Sequence, residues 1–251
     1  MRIDGKAIAE RILNDLAKEI ATRKLQPTLA VILVGDNPAS LAYIKQKQKA
    51  AERIGAKIIL SNDISDTKKF NDDPSIHGLI IQRPLPKNLN DIPPVKLTKD
   101  VDGFEKNSPF TVPVVLAVQT ILKEIGTDIA NKHIVVIGRG ETAGGPIAQY
   151  FKTSRVVHSE TPNPKEIIRE GDIIVSCVGK ERVVTKDMLK PGVVLIGVGI
   201  WRDSEGKLRG DYDEEEIKDI ASFYTPTPGG VGPVNVACLM QNLVKACTIN
   251  V

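Results

Sequence analysis

The segment Gly138-Arg139-Gly140-Glu141-Thr142-Ala143 follows the apolar run 133–137 and opens a helical pattern. That is the strand–turn–helix context in which G-x-G-x-x-G/A holds a dinucleotide. Small residues let the backbone approach a pyrophosphate, and the helix N-terminus offers free N–H groups and a positive dipole end. An ordinary tight βα turn has the same appearance, so the glycines do not decide alone. The next strand ends at His158-Ser159, and no carboxylate appears before Glu160. An acid at that strand end would accept from the ribose hydroxyls of NAD, whereas Arg139 offers a guanidinium fork to a 2′-phosphate, which leans towards NADP. Glu160 is the counterweight, because its charge repels that phosphate, and Arg139 also reads as a solvent-facing turn residue.

Tyr43 and Lys47 are four apart in a helical segment and so share a face. A ring beside an ammonium suits a flat heterocycle, but on spacing alone the pair reads as an ordinary surface pair. Gln82 ends an apolar run at Ile80-Ile81-Gln82-Arg83-Pro84, and ligands of open α/β sheets sit at strand ends. Asp102, in Asp100-Val101-Asp102-Gly103, reads as a binding carboxylate or as an Asp-Gly turn. The loop Thr225-Pro226-Thr227-Pro228-Gly229-Gly230-Val231-Gly232-Pro233 is stiff and exposes backbone, which fits contact with a flat ligand or a plain connector. The histidines His77, His133 and His158 are too dispersed to form a metal-ligand cluster, and no metal is expected.

Alternating strands and helices must hold these residues. Asp4 can cap a helix with apolar positions Ile8, Ile12, Leu16 and Ile20. A strand is predicted over 28–34, a helix from Ser40 to about Arg53 closed by Gly55, and strands over 56–60 and 76–82. Four prolines between 84 and 94 mark an irregular loop. A helix over 114–125 leads to strands at 133–137, 155–157, 172–176 and 193–196, with a helix from the glycine turn to about Phe151. A last strand near Tyr224 precedes the Pro/Gly loop and a final helix over about 236–246. The alternation indicates parallel α/β layers.

Apolar residues make up 41% of the 251 residues, enough for a sizeable core, and aromatics only 4%, so that core is aliphatic. With 34 basic against 31 acidic residues the charge is +3, which argues against nucleic-acid binding; the Lys45–Lys49 stretch reads mostly as a solvated helix face. Cys177, Cys238 and Cys247 are odd in number and form no C-x-x-C pair, as expected of free thiols in a reducing compartment. The sequence shows neither a signal-peptide run nor an apolar stretch of the roughly 20 residues needed to span a bilayer, so a cytoplasmic protein without membrane contact is expected.

Taken in order, these segments resemble the bifunctional methylenetetrahydrofolate dehydrogenase/cyclohydrolases. The resemblance rests on Asp4-Gly5-Lys6-Ala7-Ile8-Ala9, Val34-Gly35-Asp36-Asn37-Pro38-Ala39-Ser40, Tyr43-x-x-x-Lys47 and Gly78-Leu79-Ile80-Ile81-Gln82-x-Pro84-Leu85-Pro86. It extends through Lys99-Asp100-Val101-Asp102-Gly103-Phe104 and Pro228-Gly229-Gly230-Val231-Gly232-Pro233. It implies two α/β domains flanking a cleft: an N-terminal catalytic, folate-binding domain (1–118 with 234–251, the last helix returning to it) and a Rossmann-like NADP-binding domain (119–233). It implies Lys47 as the cyclohydrolase residue, Gln82 as the group that positions and tunes it, Asp102 as the pterin ligand and Tyr43 as a stacking ring. Pro228, Gly229 and Gly230 are implied to contact folate, and Gly138, Arg139, Gly140, His158, Ser159, Val178, Gly179 and Ile200 to lie at the cofactor. A homodimer is implied as well.

The implied activity is NADP-dependent oxidation of 5,10-methylene-tetrahydrofolate followed by hydrolysis to 10-formyl-tetrahydrofolate; the alternative is a same-family dehydrogenase with little cyclohydrolase activity. Departures from the family pattern are Arg83 in the Gln82 segment, loss of the Pro-Cys-Thr-Pro segment within 109–116, Gly140 in place of a serine, and Gly197 in place of an aspartate. The stretch 61–75 is shorter than the family's, implying a trimmed helix.

Overall fold

The structure, a computed structural model, describes residues 1–86, 89 and 92–249. The chain runs α1 (Gly5–Arg23), β1 (Thr28–Ile32), α2 (Pro38–Ile54), β2 (Lys57–Ser61), α3 (Asp66–Asp72) and β3 (Gly78–Ile81), then a 3₁₀ turn (Leu97–Lys99) and α4 (Pro113–Glu124). It continues with β4 (Ile134–Ile137), α5 (Gly144–Tyr150), β5 (Arg155–Val157), α6 (Pro164–Glu170), β6 (Ile173–Ser176) and a second 3₁₀ turn (Lys186–Met188). It ends with β7 (Val194–Gly197), β8 (Ile200–Arg202), β9 (Leu208–Gly210), α7 (Glu214–Ile217), β10 (Phe223–Tyr224) and α8 (Val231–Ile249). Among the described residues no helix is long and apolar enough to cross a membrane.

Two compact units emerge. One comprises Ala9–Pro113 with Val236–Val251, the other Met1–Ile8 with Val114–Asn235. In the first, a parallel sheet has the order β2-β1-β3, with Leu29 opposite both Ile58 and Gly78. All five residues of β1 are buried, as a central strand covered on both faces must be. Asp4 caps α1 by accepting from Ala7 N at 3.0 Å, and Leu13, Leu16 and Ile20 face a core that also takes in Leu239, Met240 and Leu243 of α8. The last helix thus returns to pack with α1, and each such aliphatic side chain contributes about 1.5–3 kcal/mol by leaving water.

The second unit holds a five-stranded parallel sheet of order β10-β7-β6-β4-β5 and an antiparallel pair, β8 with β9. Its core is mostly aliphatic, built on Val135, Ile137, Ile174, Leu195 and Ile217, with Tyr212 and Tyr224 packed among them.

The strand and helix pattern read from the sequence is present, with shifted ends. β1 stops at Ile32, and α2 starts at Pro38 because Asn37, not Ser40, caps it by accepting from Ala39 N at 2.9 Å and Ser40 N at 3.2 Å. α8 begins at Val231 rather than near Val236; Pro233 is tolerated in the first turn, where its missing N–H has no partner in any helix. α3 lies in the stretch 61–75, where the resemblance implies a trimmed helix; α6, α7 and the β8–β9 pair were not anticipated, each being too short to show a period. Within the proline-rich loop, residues 87, 88, 90 and 91 lie outside the described residues, as do 250 and 251 of the last segment.

Candidate active site

Lys47 is not a surface residue. On α2 it falls in the series Ile44, Lys47, Ala51, Ile54, which is the buried stripe of that helix. Its side chain is left 5% exposed, while Lys45 and Lys49 on either side are exposed. The expectation of a surface pair therefore fails: four-residue spacing fixed the face shared by Tyr43 and Lys47 but not its direction. Tyr43 is half-buried and packs on the same core as α1 and α8.

The Lys47 ammonium donates to Gln82 Oε1 at 2.8 Å, and Gln82 Nε2 donates to the Arg83 carbonyl at 2.7 Å. The second bond fixes the amide: the reverse orientation would set N–H groups against the ammonium. Gln82 is held in turn by the sheet, its N–H donating to Ile32 O at 2.8 Å just beyond β3. A neutral amide satisfies a donor without cancelling its charge, so desolvation dominates and pushes the Lys47 pKa down. The negative charge of Asp102 opposes this in part. That coupling brings Asp102 into the same constellation.

The Asp102 turn is heavily supported. Asp100 accepts from Gly103 N (3.1 Å), Phe104 N (3.3 Å) and Glu105 N (2.9 Å), and its burial raises its pKa. Gly103 sits at φ +71°, and a Cβ there would lie 2.7 Å from the Phe110 carbonyl oxygen, so only glycine closes this turn. From α8, Asn242 donates to Val101 O at 2.8 Å and Thr111 O at 2.9 Å. The Arg83 guanidinium lies 5.0 Å from the centroid of the Phe104 ring, joining the Gln82 strand end to the Asp102 turn. Asp100 was visible in the sequence only as a neighbour of Asp102. Asn242, 141 residues from Val101, left no local signal.

In the other unit, the expected dinucleotide residues gather at the carboxyl ends of neighbouring strands. Gly138, Arg139 and Gly140 follow β4, His158 and Ser159 follow β5, Val178 and Gly179 follow β6, and Ile200 opens β8 beyond β7. Gly138 has φ +102° and its N–H donates to Val157 O at 2.8 Å. A Cβ on Gly144 would lie 2.2 Å from the Gly138 carbonyl oxygen. Gly144, which the sequence reading did not single out, is thus the close-packing glycine between turn and helix, and Gly140 is the open one. A turn packed this closely at Gly138 and Gly144, with open space over Gly140, fits a pyrophosphate.

Fully buried Asp211 supports the neighbouring turn by accepting from Ser176 Oγ (2.6 Å), Val178 N (3.0 Å), Gly179 N (2.7 Å) and Lys180 N (3.0 Å). Gly179 in turn sits so close that a Cβ would lie 2.9 Å from Ile200 O. Pro228, Gly229 and Gly230 belong to this unit too, where Gly5 packs so tightly that a Cβ would lie 1.9 Å from Gly230 O.

Comparison with known proteins accounts for both halves of the chain. Residues 3–102 match the family model described as the tetrahydrofolate dehydrogenase/cyclohydrolase catalytic domain, and residues 113–251 its NAD(P)-binding domain. The chain belongs to the tetrahydrofolate dehydrogenase/cyclohydrolase family. It is 40% identical to the bifunctional protein FolD of Acidovorax sp. (strain JS42) over 97% of each chain. The crystal structure of the bifunctional FolD methylenetetrahydrofolate dehydrogenase/cyclohydrolase from Campylobacter jejuni superposes with a TM-score of 0.92 at 34% identity, covering 100% of this chain and 99% of that one. The Trypanosoma brucei FolD, complexed with NADP cofactor and an inhibitor, superposes with a TM-score of 0.91 at 30% identity, covering 99% of this chain and 97% of that one.

Proposed function

We propose that this chain oxidises 5,10-methylene-tetrahydrofolate with NADP and hydrolyses the methenyl product to 10-formyl-tetrahydrofolate. The observation that carries this reading is the buried Lys47 amine, bonded at 2.8 Å to a fixed carboxamide and electrostatically coupled to Asp102. When bound, NADP would supply the acceptor for the hydride that the methylene carbon loses. The substrate's own nitrogen lone pair drives that loss, so the chain supplies binding and alignment and no acid or base. Asp102 offers two acceptors to the adjacent N–H donors of the pterin edge. Tyr43 stacks on the substrate, and Pro228, Gly229 and Gly230 contact it.

Hydrolysis requires proton handling. With its pKa lowered by burial, Lys47 can be neutral and accept a proton as water adds to the cationic methenyl carbon. The adduct collapses by breaking the bond from that carbon to N5: N5 gains a proton, the hydroxyl loses one, and one proton in all is released. Gln82 holds the amine in place, and its neutral carboxamide adds no charge to offset the desolvation that lowers the Lys47 pKa. The cofactor role falls to Gly138, Arg139, Gly140, His158, Ser159, Val178, Gly179 and Ile200, and NADP binding by the Trypanosoma brucei relative supports it.

In this reading the segments 1–118 and 234–251, with Pro228, Gly229 and Gly230, do the folate work, and the rest of 119–233 the dinucleotide work. The chain acts as a cytoplasmic homodimer, as the family resemblance implies. The test is a paired assay of purified protein: NADP-dependent appearance of the methenyl chromophore from methylene-tetrahydrofolate, and its decay when methenyl-tetrahydrofolate is supplied directly. Both activities are expected. Oxidation without accelerated decay would reduce the reading to a dehydrogenase.

A further inference from the structure

We infer that Glu160 is a specificity-determining residue of the dinucleotide site: it engages the Arg139 guanidinium that a ribose 2′-phosphate would use, and so lowers this chain's preference for NADP over NAD. The inference rests on the dinucleotide-binding role proposed above.

β4 and β5 are adjacent and parallel, with Ile137 opposite Val157. The Gly138 N–H donates to Val157 O at 2.8 Å, so the glycine turn and the 158–160 segment leave the sheet side by side. In a dinucleotide-binding βαβ unit the ribose next to the adenine lies there, where the choice between hydroxyl and phosphate is read. Arg139 Nη2 lies 2.8 Å from Glu160 Oε2 across this junction. The segment is fixed locally: Glu160 N donates to His158 Nδ1 at 3.3 Å, and His158 N donates to Thr161 Oγ1 at 2.9 Å.

The two cofactors meet different chemistry at this pair. A 2′-phosphate must draw Arg139 from Glu160 and then sit beside a carboxylate, dianion against anion. The pair itself is weak, with both side chains more than half exposed (59% and 70%), so it opens and NADP still binds. NAD brings no phosphate, and its ribose hydroxyls are donors that a carboxylate accepts. Glu160 therefore penalises one cofactor and assists the other.

The experiment is titration calorimetry of the full chain and of Glu160→Gln with NADP, NAD and 2′,5′-ADP at fixed ionic strength. Glu160→Gln keeps the shape and removes the charge of an exposed side chain, so folding is not at stake. NADP and 2′,5′-ADP should each bind about tenfold more tightly, while NAD stays unchanged or weakens; one like-charge contact at a surface has this scale. Glu160→Lys should move the NADP/NAD affinity ratio further the same way. An affinity ratio unchanged within about twofold in both variants, with both dinucleotides bound, would overturn this inference alone. If neither dinucleotide binds the wild-type chain, the inference and the function beneath it both fall.

Discussion

Asn242→Leu should damage both the fold and folate binding, because one side chain of α8 holds both ends of the Asp102 segment. Its amide donates at 2.8 Å to Val101 O, beside Asp102, and at 2.9 Å to Thr111 O. Asn242 is 5% exposed, and leucine fills the space without either donor, so two carbonyls are left facing an apolar group. A buried acceptor without a partner costs about 1–3 kcal/mol. Allowing for partial rehydration of the loop, the total loss is about 2–4 kcal/mol. At about 2–4 °C per kcal/mol for a chain of this size, the melting transition should fall by roughly 4–16 °C. The Asp102 turn then loses its anchor, so KM for methylene-tetrahydrofolate should rise several-fold while KM for NADP stays put. Calorimetric unfolding with paired steady-state kinetics tests this. A variant within about 0.5 kcal/mol of wild type and with an unchanged folate KM would refute the clamp.

Further outcomes follow from the same contacts. Gly144→Ala places a Cβ 2.2 Å from the Gly138 carbonyl oxygen; the glycine turn must open, and NADP affinity should drop by at least about tenfold in a direct titration, since the cradle depends on close backbone approach. Asp211→Asn leaves one acceptor oxygen for four donors and should destabilise the nucleotide unit by about 2–4 kcal/mol in urea unfolding. Gln82→Glu sets a carboxylate against the Lys47 ammonium, which raises the Lys47 pKa, so the pH–rate profile of hydrolysis should move to higher pH. An unmoved profile would remove Lys47 from the proton transfer. The Lys47 pKa is lowered from 10.5 on folding, so between the folded value and 10.5 the unfolded chain binds the extra proton. Stability therefore rises with pH across that window, and below it the cost is fully present. Lys47→Met should flatten this rise, measured as urea midpoints at neutral and alkaline pH.

Much of this was legible in the sequence for physical reasons. β1 is a continuous apolar run because both its faces are covered, and Gly55 closes α2 because only a left-handed residue turns the chain there (φ 78°). Gln82 stands out by its place at a strand end, whereas the roles of Lys47 and Asp102 were implied only by the family resemblance. What the sequence hid is what depends on distant partners. The burial of Lys47 is decided by which side of α2 meets the sheet, and a lysine in an apolar stripe reads as a break in the stripe. Asn242 and Asp211 hold turns that are 141 and 31 to 35 residues away in the chain, so neither belongs to a motif. The pairing of Arg139 with Glu160 could be suspected from their signs, but only the register of β4 with β5 puts them 2.8 Å apart.

In the proposed mechanism the Lys47 amine carries the proton of hydrolysis and is a bystander in hydride loss. Lys47→Met, verified as folded by circular dichroism and NADP titration, should be measured for both reactions under one set of conditions. Methenyl hydrolysis should fall by at least about 10²-fold, the scale of a lost acid–base group, while NADP-dependent oxidation falls by less than about tenfold. Hydrolysis that survives in the folded variant, or both rates falling together, would contradict the separate role assigned to this lysine.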